Sequence, residues 1–556
     1  MKKLLYIILM LLLASPVFGA TYYVTSAGAS GQTGADMANA WSWANFVAGG
    51  AGGNTWGAGD TVCLSGAFSV GSGTNTILSG GSGGTYATID GSGAGDCVAA
   101  SAATITPSFA DSTFALRWIS RNYVKVKDLT FAGTSYAALR TDSCTYFEFT
   151  DNTITGAYNR GIWPNCSDHI IINGNTLNNT SDVTDYKEDG IKIDGSSNVE
   201  VYNNSVTDYD HDAYQIYDNS ACAVSTVDIH DNYATLTWRG YGRAFNIYEY
   251  QNKGTSNVFI HHNYAENMRA PSQMDGDISN IRIHNNIFYN QLNCCAEVSG
   301  ACAEVSTDSK CFGDDAYQKT GRHWLLNSEF GSPEYVYIYN NTFYKSAETA
   351  IFINGIYDFL DISNNIIYDA ANAATPGDDP PGSTGTYFDY SIVCKTTANC
   401  TNITFKNNVI QSTKRGVGGD EFSWQIGSNL YSLSEFEASP PSGVTASGSI
   451  DDTPDLTDPA GDDFSIATVD PVSPCIDVGA NLGGDYDEGW NPTTSMPPVT
   501  VTTIDQDMRG STPFWEIGAY VYDSDPVTDD PITITPGAPG NLTITPDAGG
   551  AITITY

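Results

Sequence analysis

Short runs of alternating apolar and polar residues recur along this chain, and each run closes on a pair of asparagines or a near variant. The run from Val199 to Asn204 is a clear copy, with valine at every second position before the asparagine pair. Other copies close at Asn152, Asn175, Asn232, Asn263, Asn286, Asn341, Asn365 and Asn408. Alternation with a period of two predicts β-strands with one buried face, and the return of the phrase predicts a repeat architecture.

The spacing of the copies and the absence of a helical period between them predict an all-β solenoid. We expect a parallel β-helix, in which each turn adds one strand to long parallel sheets with neighbouring strands about 4.8 Å apart. Asparagine tolerates the left-handed backbone of a tight bend, and stacked asparagine amides can hydrogen-bond along a column. The repeated asparagines are therefore assigned to the scaffold and not to catalysis.

The repeats predict one elongated unit over residues 21–522. Clear repeats run over 123–410, preceded by a segment rich in Gly, Ser and Ala and followed by a closing segment over 411–522. The intervals 286–341 and 365–408 are longer than one turn, so each is expected to hold a loop excursion. Residues 523–556 are rich in Pro, Thr, Asp and Gly, and this linker and tail is too short for an independent domain.

The first 20 residues have the pattern of a signal peptide. Lys2 and Lys3 precede an apolar run over 4–13, and a small-residue exit follows at 17–19. The apolar run is too short to span a bilayer, and no later segment has a transmembrane pattern. We therefore expect a protein secreted by a bacterium, with a periplasmic or cell-surface location as the alternatives.

The net charge of the chain limits the classes of partner that it can bind. There are 63 acidic against 24 basic residues, a formal net charge of −39. Such a surface keeps a secreted protein soluble, and it also offers oxygen ligands for Ca²⁺. Nucleic acid is not expected as a partner, because phosphate binding needs a basic face. A soluble monomer is expected.

The 12 cysteines indicate disulfides formed in an oxidising compartment. Cys144 and Cys166 lie about one repeat apart and could face each other on neighbouring turns. Local clusters occur at Cys294, Cys295, Cys302 and Cys311, and at Cys394 and Cys400. Zinc is the competing interpretation of the first cluster, but without paired CxxC spacing disulfide loops are favoured.

A second strand precedes each asparagine phrase and begins with a small residue followed by a large apolar one. Alternation places the large residue inward and its successor outward. The outward successors are Arg140, Trp163, Lys192, Gln215 and Asn246. Tryptophan can stack on a sugar ring, and the other side chains can hydrogen-bond hydroxyls or carboxylates, so this column predicts substrate binding.

A charged column lies one position before the small residue. It consists of Ala137, Arg160, Asp189, Asp212 and Arg243. Further charged residues nearby are Lys187, Glu188, Asp210 and His211. Carboxylates on consecutive turns need neutralisation by a cation, a shared proton or the flanking arginines.

Three interpretations of this charged column stay open at the level of sequence. It is a structural salt-bridge ladder, the site of a polysaccharide lyase, or the site of a glycoside hydrolase. In the lyase, Ca²⁺ and arginine neutralise a uronate carboxylate while a basic side chain removes the adjacent carbon-bound proton. The predicted metal ligands are Asp189, Asp210, Asp212 and Glu188, and the predicted catalytic residues are Lys192, Lys187, Arg243 and His211. Substrate binding is assigned to Arg140, Arg160, Trp163, Gln215 and Asn246. In the hydrolase, Asp189 and Asp212 would be the acid and the base or nucleophile.

The two ends of the chain carry a resemblance to a known family. The entry segment has Thr21-Tyr22-Tyr23-Val24, Trp41-Ser42-Trp43 and Gly59-Asp60-Thr61-Val62, and the closing segment has Ser473-Pro474-Cys475-Ile476-Asp477, Asp507-Met508-Arg509-Gly510 and Glu516-Ile517-Gly518-Ala519-Tyr520. Together with the repeats, these segments resemble secreted proteins of the pectate-lyase-like superfamily. The resemblance implies a single-stranded right-handed parallel β-helix with capping segments. It does not imply one chemistry, because the superfamily includes lyases, hydrolases, epimerases and adhesins.

The residues together favour an enzyme that cleaves an acidic, uronate-containing polysaccharide by calcium-assisted β-elimination. A glycoside hydrolase using Asp189 and Asp212 is one alternative, and a non-catalytic carbohydrate-binding or adhesive β-helix is another. His261, His262 and His284 belong to the phrase strands and are interpreted as outward or ladder-adjacent fillers.

Overall fold

The computed structural model divides the chain into two compact units, 1–522 and 523–556. The structure describes residues 19–71, 75–107, 114–133, 136–156, 159–178, 189–209, 211–237, 242–268, 270, 272–291, 322–346, 349–370, 390–411, 423–467, 473–484, 486–496, 501–506 and 515–522. In the second unit it describes two strands, Thr543–Pro546 and Ile552–Thr555, which pair antiparallel.

Three long sheets build the first unit, and from Phe114 to Ile410 each turn of the chain contributes one strand to each sheet. Sheet I contains the strands Thr76–Ile77, Phe114–Ile119, Ala137–Asp142, Arg160–Asn165, Asp189–Asp194, Asp212–Tyr217, Arg243–Tyr248, Ser272–Asp275, Trp324–Leu326, Ile351–Ile353, Ile392–Cys394, Trp424–Ile426 and Asn429–Tyr431. Sheet II contains Thr21–Thr25, Trp41–Ser42, Thr61–Leu64, Ala87–Asp90, Asn122–Lys127, Thr145–Thr150, Asp168–Asn173, Ser197–Tyr202, Val224–His230, Thr255–His261, Ile278–His284, Glu334–Tyr339, Leu360–Ser363, Ile403–Lys406 and Val444–Ser447. Sheet III contains Gly66–Val70, Ala103–Pro107, Thr130–Ala132, Thr153–Thr155, Thr176–Asn178, Ser205–Thr207, Tyr233–Thr235, Tyr264–Glu266, Ile287–Gln291, Thr342–Ser346, Ile366–Tyr368 and Val409–Ile410.

Neighbouring turns pair in parallel and in register, which confirms the predicted parallel β-helix. On sheet II, Val199 lies beside Ile170 and Val227, and Val201 lies beside the next inward pair. These inward side chains are at most 2% exposed. One cluster of buried apolar residues runs from Val24 to Val444 along the helix interior, as alternation predicts for strands that each bury one face.

Short helices lie near both ends of the solenoid. Trp43–Val47 begins where the Ser42 hydroxyl accepts from the Asn45 amide, and Leu433–Ala438 begins with a capping box between Ser432 and Glu435. The 3₁₀ turns are Met37–Asn39, Gly95–Cys97, Thr397–Asn399 and Pro459–Gly461. In the part of the chain that the structure describes, no helix is long and apolar enough to cross a membrane.

The second asparagine of each phrase forms a buried ladder. Nδ2 of each donates to Oδ1 of the next at 2.9–3.0 Å, from Asn152 through to Asn408. The ladder crosses both long intervals directly, since Asn286 bonds Asn341 and Asn365 bonds Asn408. The predicted excursions between these pairs lie largely outside the described residues.

The first asparagine of the phrase has a different task. It takes a left-handed backbone, as at Asn203 with φ 54° and Asn364 with φ 59°. This conformation disfavours most side chains but is tolerated by asparagine. Both predicted roles of the repeated asparagines are therefore confirmed, one for each member of the pair.

Breaking the ladder should destabilise the fold strongly. Asn232 is fully buried, accepts two hydrogen bonds from Asn204, and donates to Val201, His230 and Asn263. Asn232→Leu leaves several buried polar groups unpaired, at about 1–3 kcal/mol each, so we expect a loss of at least about 3 kcal/mol.

Urea unfolding followed by circular dichroism measures this loss. Asn203→Gly is the matched control, because glycine adopts the left-handed backbone freely and Asn203 stands outside the ladder. Equal stability losses in the two variants would contradict the structural role of the ladder.

The closing segment packs against the outer face of sheet III. Phe464, Trp490 and Tyr520 form an apolar cluster with Tyr264 and Ile287. Its strands pair antiparallel with one another, Leu456–Asp458 with Asp463–Ile466 and Glu488–Trp490 with Thr503–Asp505. Near the other end, Gly50–Ala51 and Asn54–Thr55 form a small hairpin.

Three disulfides link the described cysteines: Cys63–Cys97, Cys166–Cys222 and Cys394–Cys400. The proposed pairing of Cys144 with Cys166 is wrong. Cys166 bonds Cys222, which lies in a turn two rungs further on, while Cys144 is a buried free thiol. The cluster at 294–311 lies outside the described residues.

Two buried histidines predict acid sensitivity. Burial lowers the pKa of both His284 and His323 to about 3. The unfolded chain binds these protons near pH 6.5 and the folded chain does not, so stability is lost as the pH falls below 6.5. The loss at pH 4 should be on the order of 3 kcal/mol for each histidine.

Melting temperatures at about pH 7.5 and about pH 4 test this linkage. His323→Gln should lose less stability on acidification than the unchanged protein does. His169→Gln, at an exposed position, should keep the full acid sensitivity. An unaltered acid response in His323→Gln would contradict the prediction.

Candidate functional site

The register of sheet I aligns the charged column as the sequence predicted. Arg160 lies beside Asp189, Asp189 beside Asp212, and Asp212 beside Arg243. The charged column and the next outward column lie three positions apart, so strict alternation would put them on opposite faces. Both columns line the same cavity because the two residues between them, such as Ala213 and Tyr214, are both buried in the core. In that second column Arg140 lies beside Trp163, while Lys192, Gln215 and Asn246 follow one another on successive turns.

His211 joins the two carboxylates. Its Nδ1 lies 2.7 Å from Oδ1 of Asp189 and 2.9 Å from Oδ2 of Asp212. Carboxylates accept only, so Nδ1 carries the hydrogen. Partial burial alone would lower the pKa of His211, but the Asp212 and Asp189 carboxylates raise this pKa to about 9. At neutral pH an imidazolium therefore lies between the two carboxylates and offsets part of their charge.

Asp212 is fully buried, and both oxygens of its carboxylate accept hydrogen bonds. Besides His211, it accepts from Nη1 of Arg243 at 3.2 Å, from Nδ2 of Asn246 at 2.8 Å and from Nε2 of Gln215. Burial opposes ionisation of this carboxyl, but His211 and Arg243 hold its pKa well below the usual range. Asp212 is a permanent anion at the centre of the site.

Lys192 is a buried amine, only 7% exposed. Its Nζ lies 4.3 Å from the centre of the Tyr217 ring, and no salt bridge joins it to another described residue. Burial lowers the pKa of Lys192, and the charge of Arg160 lowers it further against the opposing effect of Asp189. A lysine whose ammonium form is disfavoured loses its proton at a lower pH than an exposed lysine and can then act as a proton acceptor.

Two amide oxygens in the site lack protein partners. Oε1 of Gln215 and Oδ1 of Asn246 are buried and accept no hydrogen bond from the described residues. Their amide nitrogens are both committed to Asp212, which fixes the orientation of the oxygens. Buried acceptors without donors suit a ligand that carries hydroxyl groups.

These side chains line a cavity of about 400 Å³ on the outer face of sheet I. Its lining residues are Arg160, Asp189, Lys192, His211, Gln215, Tyr217, Arg243, Asn246, Tyr248 and Gln273. Three of these, Tyr217, Tyr248 and Gln273, were missed from the sequence. Gln273 continues the outward column by one turn, beside Asn246. Tyr217 and Tyr248 lie two positions after Gln215 and Asn246 on the same strands, so extending the alternation along each strand would have found them.

Trp163 and Arg140, which the sequence predicts as substrate-binding residues, are not among the residues that line the cavity. Trp163 is 8% exposed, with the guanidinium carbons of Arg140 and Arg160 at 3.6 and 4.2 Å from its ring centre. Arg140 is bonded to both oxygens of Asp142. The predicted stacking of Trp163 on a sugar would require these neighbours to move. The predicted residues Lys187, Glu188 and Asp210 lie outside the described residues.

The donor atoms fit calcium poorly. Among the described residues, the single cluster of metal-ligating type is Asp189, His211 and Asp212, whose donor atoms lie within 4.8 Å of one another. Calcium takes six to eight oxygen ligands. Here one donor is a nitrogen that carries a proton, and both oxygens of Asp212 already accept from protein groups. Protonated His211 lies between the two carboxylates, in the place that a bridging metal ion would take.

A second cavity, of about 440 Å³, lies on the outer face of sheet II beside the closing segment. His230, His261 and His284 stack at 4.9–5.0 Å along successive turns. His262, which follows His261 in the sequence, contacts the backbone oxygen of Glu488 in the closing segment at 2.9 Å. His261, His262 and His284 line this outer cavity, which confirms their interpretation as outward or ladder-adjacent residues, and His262 also helps to dock the closing segment.

Comparison with known proteins agrees with this architecture. A family model described as a right handed beta helix region matches residues 115–270. Pectate lyase Pel9A is similar in structure, with a TM-score of 0.45 and 12% identity over 92% of this chain and 98% of that one. A surface adhesin of Streptococcus pneumoniae, PfbA, has a TM-score of 0.37 and 12% identity over 56% and 84% of the two chains.

A polysaccharide lyase of the PL6 family from Pseudopedobacter saltans has a TM-score of 0.37 and 11% identity over 73% of this chain and 91% of that one. No curated protein matches the sequence. Structures this dissimilar do not indicate what this chain does. The matched family region and the sheet register define the class: this chain contains a right-handed parallel β-helix, as its resemblance to the pectate-lyase-like superfamily implied.

Proposed function

We propose that the chain is a carbohydrate-active enzyme that cleaves an acidic polysaccharide by β-elimination at the sheet I cavity. The observation that carries the proposal is Lys192, a buried amine with a lowered pKa, which lines the same cavity as Arg160 and Arg243 and whose strand lies between theirs. A base beside cationic carboxylate-binding groups is what abstraction of a proton next to a uronate carboxylate requires.

The residues take distinct roles in this reaction. Arg160 and Arg243 bind the uronate carboxylate and stabilise the charge that develops on it. Lys192 accepts the proton from the carbon that bears the carboxylate, and the electron pair forms the new double bond as the glycosidic C–O bond breaks. The protonated His211 donates to the departing oxygen. Gln215 and Asn246 accept from sugar hydroxyls through their free amide oxygens.

The geometry gives less support to a hydrolase. Such a mechanism needs one carboxylic acid that is protonated and one carboxylate. Asp212 is held as an anion by four donors, and Asp189 shares His211 and lies 3.4 Å from Nε of Arg160. Neither carboxylate has the apolar surroundings that keep a general acid protonated.

Calcium is the ion that the sequence predicts, and an assay with Ca²⁺ or with EDTA tests whether the reaction needs it. Secretion is proposed on two grounds, the leader pattern in the sequence and the three disulfides. A polysaccharide is the proposed partner.

Incubation with pectate, alginate and glycosaminoglycans tests the proposal, with Ca²⁺ or with EDTA. β-Elimination produces an unsaturated sugar that absorbs in the ultraviolet, so absorbance should rise on one polymer. New reducing ends without absorbance would identify a hydrolase. Binding without any cleavage would identify a carbohydrate-binding rod. Activity that persists in EDTA would agree with His211 as the neutralising cation.

A further inference from the structure

A cluster of aromatic rings and arginines borders the sheet I cavity on its N-terminal side. The indole of Trp163 lies at its centre, against Arg140 and Arg160. Phe114 supports Arg140 at 4.8 Å, and Tyr136 supports Arg160 at 5.5 Å. The indole is itself fixed, because Nε1 donates to Oδ2 of Asp194 at 3.1 Å.

The two arginines differ in what remains for a ligand. The guanidinium of Arg140 forms a bidentate pair with the Asp142 carboxylate, so its charge is already balanced within the protein. Among the described residues, the polar contacts of Arg160 are a 3.4 Å contact of Nε with Asp189 and a hydrogen bond from Nη1 to Asn159. Arg160 lines the cavity and Arg140 does not.

We propose that Trp163 is a positioning residue, which holds the guanidinium of Arg160 at the cavity so that it receives a substrate carboxylate. This inference rests on the proposed function. It assigns to Trp163 selectivity for the charge of the polymer, and it replaces the sugar-stacking role that the sequence predicted. Arginine over an indole face keeps its charge and its hydrogen-bond donors while losing freedom to turn away.

Affinity for pectate and for its neutral methyl ester tests the inference by calorimetry. Trp163→Leu should weaken binding of pectate about tenfold, the worth of a desolvated cation–π contact, and leave binding of the ester within about twofold. Trp163→Phe should restore most of the affinity. Phe259→Leu is the matched control, because Phe259 lies under Arg282 on sheet II at 5.1 Å and does not line the sheet I cavity.

A double-mutant cycle identifies the route of the effect. In an Arg160→Gln background, Trp163→Leu should cause no further loss of pectate affinity. On a polymer that the protein cleaves, Trp163→Leu should lower kcat/KM at least about tenfold, because Arg160 binds the carboxylate and also stabilises the charge that develops on it.

An equal loss of affinity on pectate and ester, an additive effect with Arg160→Gln, or a wild-type protein that does not prefer pectate would each overturn the inference. The proposed function fails separately, by absence of an unsaturated product from every polymer. The affinity measurements need no turnover, so they judge Trp163 in either case.

Discussion

Lys192→Met should abolish measurable cleavage of the substrate polymer while the protein stays folded. A general base contributes about a hundredfold to ten-thousandfold to the rate, so kcat should fall by at least about a hundredfold. The amine is buried without a salt bridge to another described residue, and methionine has a similar length. Removing a buried charge of this kind should leave the melting temperature unchanged or higher.

The pH profile gives a second measure of the same role. Lys192 must be unprotonated to accept a proton, so kcat should rise with pH as the amine loses its proton. Because burial lowers its pKa, this rise should come at a lower pH than for an exposed lysine. Lys125→Met is the control, since Lys125 pairs with Glu148 on sheet II, and it should keep full activity. Normal turnover in Lys192→Met would remove this residue from the mechanism.

The period of the sequence is sufficient to predict the scaffold. Alternation identifies the strands, and the asparagine pairs supply the register, because one member of each pair must stack on its counterpart in the next turn. The small residue and the large apolar residue that begin the preceding strand align Asp189 with Asp212, and the sheet I register agrees. Counting back from the asparagines is not sufficient here, because Asp189 lies 15 residues before Asn204 and Asp212 lies 20 residues before Asn232. Residues that recur at one position of a solenoid can be placed with this accuracy because lateral pairing is nearly uniform.

Contacts made by long side chains could not be predicted in this way. A column gives the Cα position of Trp163 but not the direction of the guanidinium groups that come to cover it. Cys166 bonds Cys222 rather than Cys144 because the turns after the strands differ in length, which periodicity does not describe. The bridging Nδ1 of His211 depends on one rotamer at the edge of a strand.

The site also shows why like charges are tolerated in the charged column. Asp189 and Asp212 would repel each other on consecutive turns, but His211 donates between them and Arg160 and Arg243 flank them. The network thus neutralises two carboxylates with three cations and leaves an excess of positive charge toward the cavity. That excess favours an anionic ligand.

Asp212→Asn should remove activity and also reduce stability. The carboxylate is fully buried and bonded by His211, Arg243, Asn246 and Gln215, so its neutralisation leaves buried cations unpaired. Breaking a buried pair costs about 3–5 kcal/mol, and turnover should fall at least about a hundredfold, because His211 and Arg243 lose the anion that positions them.

Asp218→Asn separates the two effects of that change. Asp218 is equally buried but accepts from backbone amides of Tyr250, Gln251 and Lys253, and it is not among the residues that line the cavity. It should lose stability and keep turnover when assayed well below its melting temperature. Denaturant unfolding and initial rates on the same samples measure both. Full turnover in Asp212→Asn would exclude the sheet I cavity as the catalytic centre, since this anion holds both the proton donor His211 and the carboxylate-binding Arg243 in place.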